Sequence, residues 1–151
     1  MKNSIYILMI VLFSCTVEKS DIIYGEEVCS HCHMVIMDSR YGAELVTDKG
    51  KTFKFDAMEC LINYKHDNPE ITQILHSEWT NVHNDNTSLI DATACSYLRS
   101  SKLPSPMGMY INAFEDQKSA EEFKNINGGI IYSWSELNNQ FASMPVLNQE
   151  N

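Results

Sequence analysis

The chain has 151 residues, 44% of them hydrophobic, with 11 Lys and Arg against 20 Asp and Glu and a formal charge of −9. That length suits one ordinary domain or two small fused halves. An acidic chain with no Lys/Arg cluster argues against nucleic acid as a partner. No Ser/His/Asp set, paired acidic site or phosphate-binding glycine loop stands out, so the chain does not read as an enzyme.

Lys2 precedes a nine-residue apolar run, Ile5 to Phe13. That run is too short to span a bilayer and has the shape of a secretory signal core. Leu12-Phe13-Ser14-Cys15 then reads as a bacterial lipoprotein cleavage site, although Phe13 is bulkier than usual there. Residues 1–14 are therefore expected to be a signal peptide, and Cys15 the lipidated first residue of the mature chain. Two acyl chains on Cys15 would hold the protein on a membrane, since two anchor where one is marginal. Residues 15–27 are expected to be the tether. The expected location is the cell envelope, facing the periplasm.

Cys29, Cys32, Cys60 and Cys95 remain after Cys15, and in an oxidising compartment their default state is disulfide-bonded. Six methionines also remain. Met37, Met58 and Met144 read as core filler.

In chain order, residues 43–47, the turn Asp48-Lys49-Gly50 and residues 52–55 predict a β-hairpin with alternating faces. Asp56 is placed to N-cap a helix running to about Lys65, with Leu61 and Tyr64 on its inner side. Asn68-Pro69 ends that unit. A strand is expected from Trp79 to His83, then a short helix from Ala92 to Leu98. Leu103 to Met109 is a proline-punctuated loop, and Tyr110 to Phe114 a strand. Asp116 to Lys124 predicts an amphipathic helix with Ala120 and Phe123 inward, stopped by Gly128-Gly129. A strand at Ile130 to Tyr132 and a helix from Ser133 or Ser135 complete the chain. The fold class is α+β, in two small similar halves, each a short antiparallel sheet with a helix. A repeated phrase, Asp56-Ala57-x-x-Cys60 and Asp91-Ala92-x-x-Cys95, hints at the duplication. The halves are placed at about 28–75 and 76–147.

The chemistry is concentrated in Glu26 to Asp38, EEVCSHCHMVIMD. Cys29-x-x-Cys32-His33 fits the attachment pattern of haem c, with Met107 or Met109 as a distal ligand. Cys29-x-x-Cys32 is also the spacing of a dithiol redox centre or of half a zinc site. A hairpin follows the motif where a cytochrome would have helices, no thioredoxin-like pattern surrounds it, and zinc would call for a second pair. Copper(I) matches the remaining inventory, because it is soft and favours thiolate and thioether ligands. On an extended segment Cys32 and Met34 would share a face, while Cys29 would point away. Met107 and Met109 form a second thioether pair in a loop stiffened by Pro104 and Pro106. His66, His76 and His83 read as surface histidines.

Cys29-x-x-Cys32-x-Met34, Phe55-Asp56-Ala57-Met58-Glu59-Cys60-Leu61, Asp91-Ala92, Ser105-Pro106-Met107-Gly108, Ala113-Phe114 and Gly128-Gly129, in this order, resemble the NosL family. These are lipoprotein accessory factors of nitrous-oxide reductase maturation, and the likeness covers about residues 28–137. It implies a Cu(I)-binding metallochaperone that delivers copper to the reductase or another envelope cuproprotein, with a membrane transporter complex as docking partner. By motif position it puts the metal on Cys32, Met34 and Met107. Met109 is added from this sequence, with Cys29 and His33 as auxiliary candidates. The family usually carries glycine where this chain has His33.

Overall fold

The computed structural model describes residues 17–145 and 147, so the expected signal peptide and Cys15 lie outside the described residues. Two antiparallel sheets organise the chain, as the α+β reading anticipated. The first contains β1 (Ala43–Thr47), β2 (Thr52–Phe55), β3 (Leu75–Val82) and β4 (Asp85–Asp91), in the order β2-β1-β3-β4. The second contains β5 (Ser96–Arg99), β6 (Ile111–Phe114) and β7 (Ile130–Ser133), with β5 central. No helix among the described residues is long and apolar enough to cross a membrane.

The expected hairpin is β1–β2, with Ala43 opposite Phe55 and Val46 opposite Thr52. Gly50 supplies the turn's positive φ of 75°. Helix α1 (Met58–Asp67) follows, burying Leu61 and Ile62 and carrying Lys65 and His66 in its last turn, where cations suit the dipole. Its N-cap is Ala57 rather than Asp56 and makes no side-chain cap. The Asp56 carboxylate is otherwise engaged, accepting from the backbone of Met37. Helix α2 (Gln117–Asn127) is capped by Asp116, which accepts from the Ser119 N–H at 2.7 Å. Helix α3 (Trp134–Gln140) begins with a Ser133/Glu136 capping box.

Three expectations need correction. The segment Ala92–Leu98 is no helix: a single 3₁₀ turn, Ala92–Ala94, leads into β5. Tyr97 and Leu98 are both fully buried but join different core clusters, so each face of β5 has its own core and a period of two wins. The sheets divide the chain near residue 92, not at 75/76, because β3 pairs with β1 (Ala43 opposite Thr80) and β4 adds to β3. The repeated Asp-Ala-x-x-Cys phrase accordingly has two outcomes, a helix at Cys60 and an extended C-cap at Cys95. The described part of the tether is also bound to the first sheet. Ile22 is buried, the Ser20 N–H donates to Glu44 at 2.9 Å, and the Tyr24 hydroxyl donates to Asn81.

The larger core runs through both sheets, joining Leu45 and Phe55 with Tyr97, Ile111 and Leu137. Behind β5 lies a smaller cluster of Leu98, Phe114 and Ala120, with Phe123 half-buried against it. One ion pair fastens α1, β3 and α3 together. Lys65 Nζ donates to Glu78 Oε1 at 2.6 Å and to Asn138 Oδ1 at 3.0 Å, and Trp134 Nε1 donates to Glu78 Oε2 at 3.1 Å. Glu78 is buried, so removing its cation strands a carboxylate in the core. Lys65→Met should therefore cost about 3–5 kcal/mol of unfolding free energy. The companion change Glu78→Leu should restore most of it, because a dry apolar pair replaces a buried ionic one. Urea denaturation of the single and double variants checks this, and a single variant within about 1 kcal/mol of the parent would show that Glu78 finds solvent.

Candidate metal centre

Residues 25–36 fold back on themselves as a narrow strap. Gly25 N–H donates to Ile36 O at 2.8 Å, Ile36 N–H to Glu27 O at 2.9 Å, and Cys29 N–H to Met34 O at 2.8 Å, with a Val28–Val35 bridge between. The turn closes where His33 N–H donates to Cys29 O at 3.1 Å, and His33 takes a φ of 61°. Glycine enters that left-handed region freely and a side chain does so at a cost. His33 therefore holds a backbone conformation that a glycine would adopt without that cost.

The tip of the strap docks on β2, where Ser30 N–H donates to Lys54 O at 2.8 Å. The Lys54 ammonium secures the base, donating to Asp21 O at 2.5 Å and to both Glu27 oxygens at 2.8 Å. Ile36, the last residue of the strap, is fully buried. Docking on β2 sets the strap beside the start of α1, which follows two residues after β2 and has Cys60 in its first turn.

The outcome is a cluster of three thiols. The sulfurs of Cys29, Cys32 and Cys60 all lie within 4.8 Å of one another. Cys29 and Cys60 are fully buried, while Cys32 is partly exposed at the rim. A hydrogen bond from Cys60 and backbone hydrogen bonds from Asp56, Cys32 and His31 hold the Cys29 thiol well below the ordinary range for cysteine, against the opposing effect of burial. That same bond to Cys29, with burial, drives Cys60 far up. Burial raises Cys32, aided by its neighbour Cys29. The arrangement therefore favours the thiolate form at Cys29 and keeps the protons on Cys32 and Cys60. Three convergent soft donors can bind a soft d¹⁰ cation once those protons leave.

The sequence prediction is redistributed by this geometry. Cys32 belongs to the cluster, but it ends a turn rather than lying on an extended strand with Met34. Cys29, expected to point away, is at the centre, because the turn at residues 29–33 reverses the chain. Met34 is 49% exposed on the outer arm of the strap, and Met37, expected in the core, is 68% exposed. Met107 and Met109 are half-buried and pack on the same core as Cys29, Cys32 and Cys60. His33 is exposed, while His31 lies 3.7 Å from Asp67 at the end of α1. Cys60 went unassigned, although the phrase around it, directly after a strand expected to pair, carried the signal. Among the scattered histidines, His83 is half-buried and packs against Tyr41, Phe114 and Phe123. Cys95 stands apart with its thiol on Asp91 O at 3.3 Å, and burial pushes it up to about 12. The four described cysteines are free thiols.

Haem attachment does not fit this geometry. It needs both thiols of the motif open to a ring edge, and Cys29 is sealed beneath the strap against Cys60. Nor does the motif open a helix, as a dithiol redox centre would, since residues 29–33 form a turn capped by strap hydrogen bonds.

Comparison with solved structures finds the crystal structure of the copper chaperone NosL from Shewanella denitrificans, at a TM-score of 0.67 and 22% sequence identity. The match covers 78% of this chain and 94% of that one. Comparison with curated proteins found no match. The family profile of NosL matches residues 22–142, which includes the strap, both sheets and all three helices. The chain belongs to the NosL family.

Proposed function

We propose that this protein is a Cu(I) metallochaperone and not an enzyme, with Cys29, Cys32 and Cys60 as the thiolate core of its copper site. The observation that carries this reading is the convergence of three sulfurs within 4.8 Å, two buried and one at the rim. Copper is cargo here. Two sheltered thiolates retain it against water and stray oxidants, while Cys32 is reachable by an incoming ligand. Transfer then proceeds by exchange: a donor atom of the acceptor adds to copper as Cys32 lets go. Soft ligands in low coordination number favour Cu(I) over harder ions, and no redox step at the protein is needed.

Nitrous-oxide reductase, or a similar cuproprotein of the envelope, is the proposed acceptor, and a membrane transporter complex the proposed docking partner. Family membership and the copper-chaperone role of the Shewanella denitrificans protein support this. Lipidation at Cys15 would keep the carrier on the membrane where acceptor and transporter meet. The segment bound at Ser20, Ile22 and Tyr24 would then leave only a short free leash between lipid and domain.

The reduced protein, held anaerobically, should bind one Cu(I) in competition with a chromophoric Cu(I) chelator. Cys32→Ser, Cys29→Ser and Cys60→Ser should each weaken binding at least about tenfold, or roughly 1.4 kcal/mol. Circular dichroism separates lost affinity from lost folding in the two buried variants. Full retention of affinity in Cys29→Ser and Cys60→Ser alongside a large loss in Cys32→Ser would withdraw the three-thiolate site in favour of Cys32 with thioethers.

The pH dependence has a definite sign. Cys32 and Cys60 are raised, so at neutral pH both carry protons that copper must displace. Binding should release protons and weaken as pH falls, since protons compete for the same lone pairs. A pH-indicator dye at low buffer strength reads the release directly. Affinity that stayed flat from about pH 8 to about pH 5 would point to a thioether-only site.

A further inference from the structure

We propose that Glu59 is a positioning residue that fixes the Met107 loop to the cysteine-bearing end of α1, so that the Met107 thioether completes the copper site. This rests on the metallochaperone reading and adds a residue that binds no metal. Glu59 is 1% exposed and directly precedes Cys60. Its Oε1 accepts from the Ser105 hydroxyl at 2.5 Å and from the Ile111 N–H at 3.4 Å. The Ser105 oxygen in turn accepts from the Tyr110 N–H at 2.8 Å, closing the loop across its own base. At the tip, Gly108 N–H donates to Ser105 O at 3.0 Å, with Gly108 at a φ of 73°.

Other ties hold the loop as well, but to different elements. The Tyr41 hydroxyl donates to Pro104 O at 2.6 Å, Arg99 Nε to Met109 O at 3.0 Å, and Asn112 Nδ2 to Leu103 O at 3.0 Å. Among the described hydrogen bonds of this loop, those to Glu59 alone run to α1. Among the described residues Glu59 Oε2 has no hydrogen-bond partner, so the residue is an inefficient way to fill space. Leucine would pack there without that penalty. What a carboxyl gives and leucine lacks is an acceptor for Ser105, and through it a fixed distance between Cys60 and the segment carrying Met107.

The test is a double-mutant cycle read by Cu(I) competition and by X-ray absorption at the copper edge. Met107→Leu should weaken Cu(I) binding about tenfold and remove one sulfur scatterer. Ser105→Ala should do nearly the same, and Ser105→Ala added to Met107→Leu should cost nothing more, because the tie acts only through the thioether. Glu59→Gln keeps the Oε1 acceptor and should retain affinity to within about twofold, while Glu59→Leu should match Ser105→Ala. Losses that add in the cycle, or a sulfur shell unchanged in Ser105→Ala, would overturn the proposal. If Glu59→Leu does not fold, the milder Ser105→Ala decides by the same two readouts. A parent protein that binds no Cu(I) sinks the metallochaperone reading itself. A parent that binds while Met107→Leu binds equally well sinks only the clamp.

Discussion

Three thiols from chain segments about thirty residues apart meet at one buried point, and every other feature of the centre follows from how they are held there. Burial alone would keep all three protonated, since a thiolate taken out of water without donors is costly. The strap supplies the donors. Its turn aims backbone groups of His31 and Cys32 at the Cys29 sulfur, and the β2–α1 junction adds Asp56. One thiolate thus becomes tolerable in a dry setting, and the thiol of Cys60 completes its solvation. The same hydrogen bonds that ready Cys29 for a cation also hold Cys60 beside it. Geometry and charge have a single cause.

That cause depends on the strap's attachment to the hairpin, which a single lysine on β2 secures. Lys54 lies on β2, the strand beneath the strap, and bridges Asp21 O and Glu27. It links three parts of the first sixty residues: the arm that leads in, the strap's first limb, and the sheet. Because this pair is partly buried, its attraction is screened less than that of an exposed pair such as Arg40–Asp38. The first sheet is therefore a platform for a peptide that has almost no regular secondary structure of its own.

Much of the architecture was legible where local chemistry and tertiary packing agree. The β1–β2 hairpin has alternation and a glycine turn, α2 has its Asp116 cap and Gly128 stop, and α3 has the Ser133 cap. Ala92 to Leu98 misled because Asp91 does act as a cap, accepting from Thr93, but for one 3₁₀ turn only. The two cores on either side of β5 are a property of the assembled fold and leave no mark on a single window of sequence. At the site, the concentration of soft donors was readable from composition, and Cys32, singled out by its motif, lies in the three-thiol cluster. Cys29 was misplaced because the extended period of two was assumed across a segment that turns. The residue that reverses it is His33, which does not announce a positive φ as glycine would. Cys60 joins the cluster through docking between non-adjacent segments, which no single window of sequence shows.

The division between buried and exposed sulfur bears on how such a carrier works. A site of three equally buried thiolates would hold copper well and release it slowly, since each exchange would need the strap to open. A fully exposed site would exchange fast and lose its cargo to any passing thiol. Here the strap seals two sulfurs and leaves the third at its rim, beside the exposed Met34 and His33. An acceptor that approaches this edge meets Cys32 first, with weaker donors around it to stabilise a crowded intermediate. What sets Cys32 apart from the other two sulfurs is thus its place at the rim, where the strap leaves it partly exposed, while Cys29 and Cys60 are sheltered.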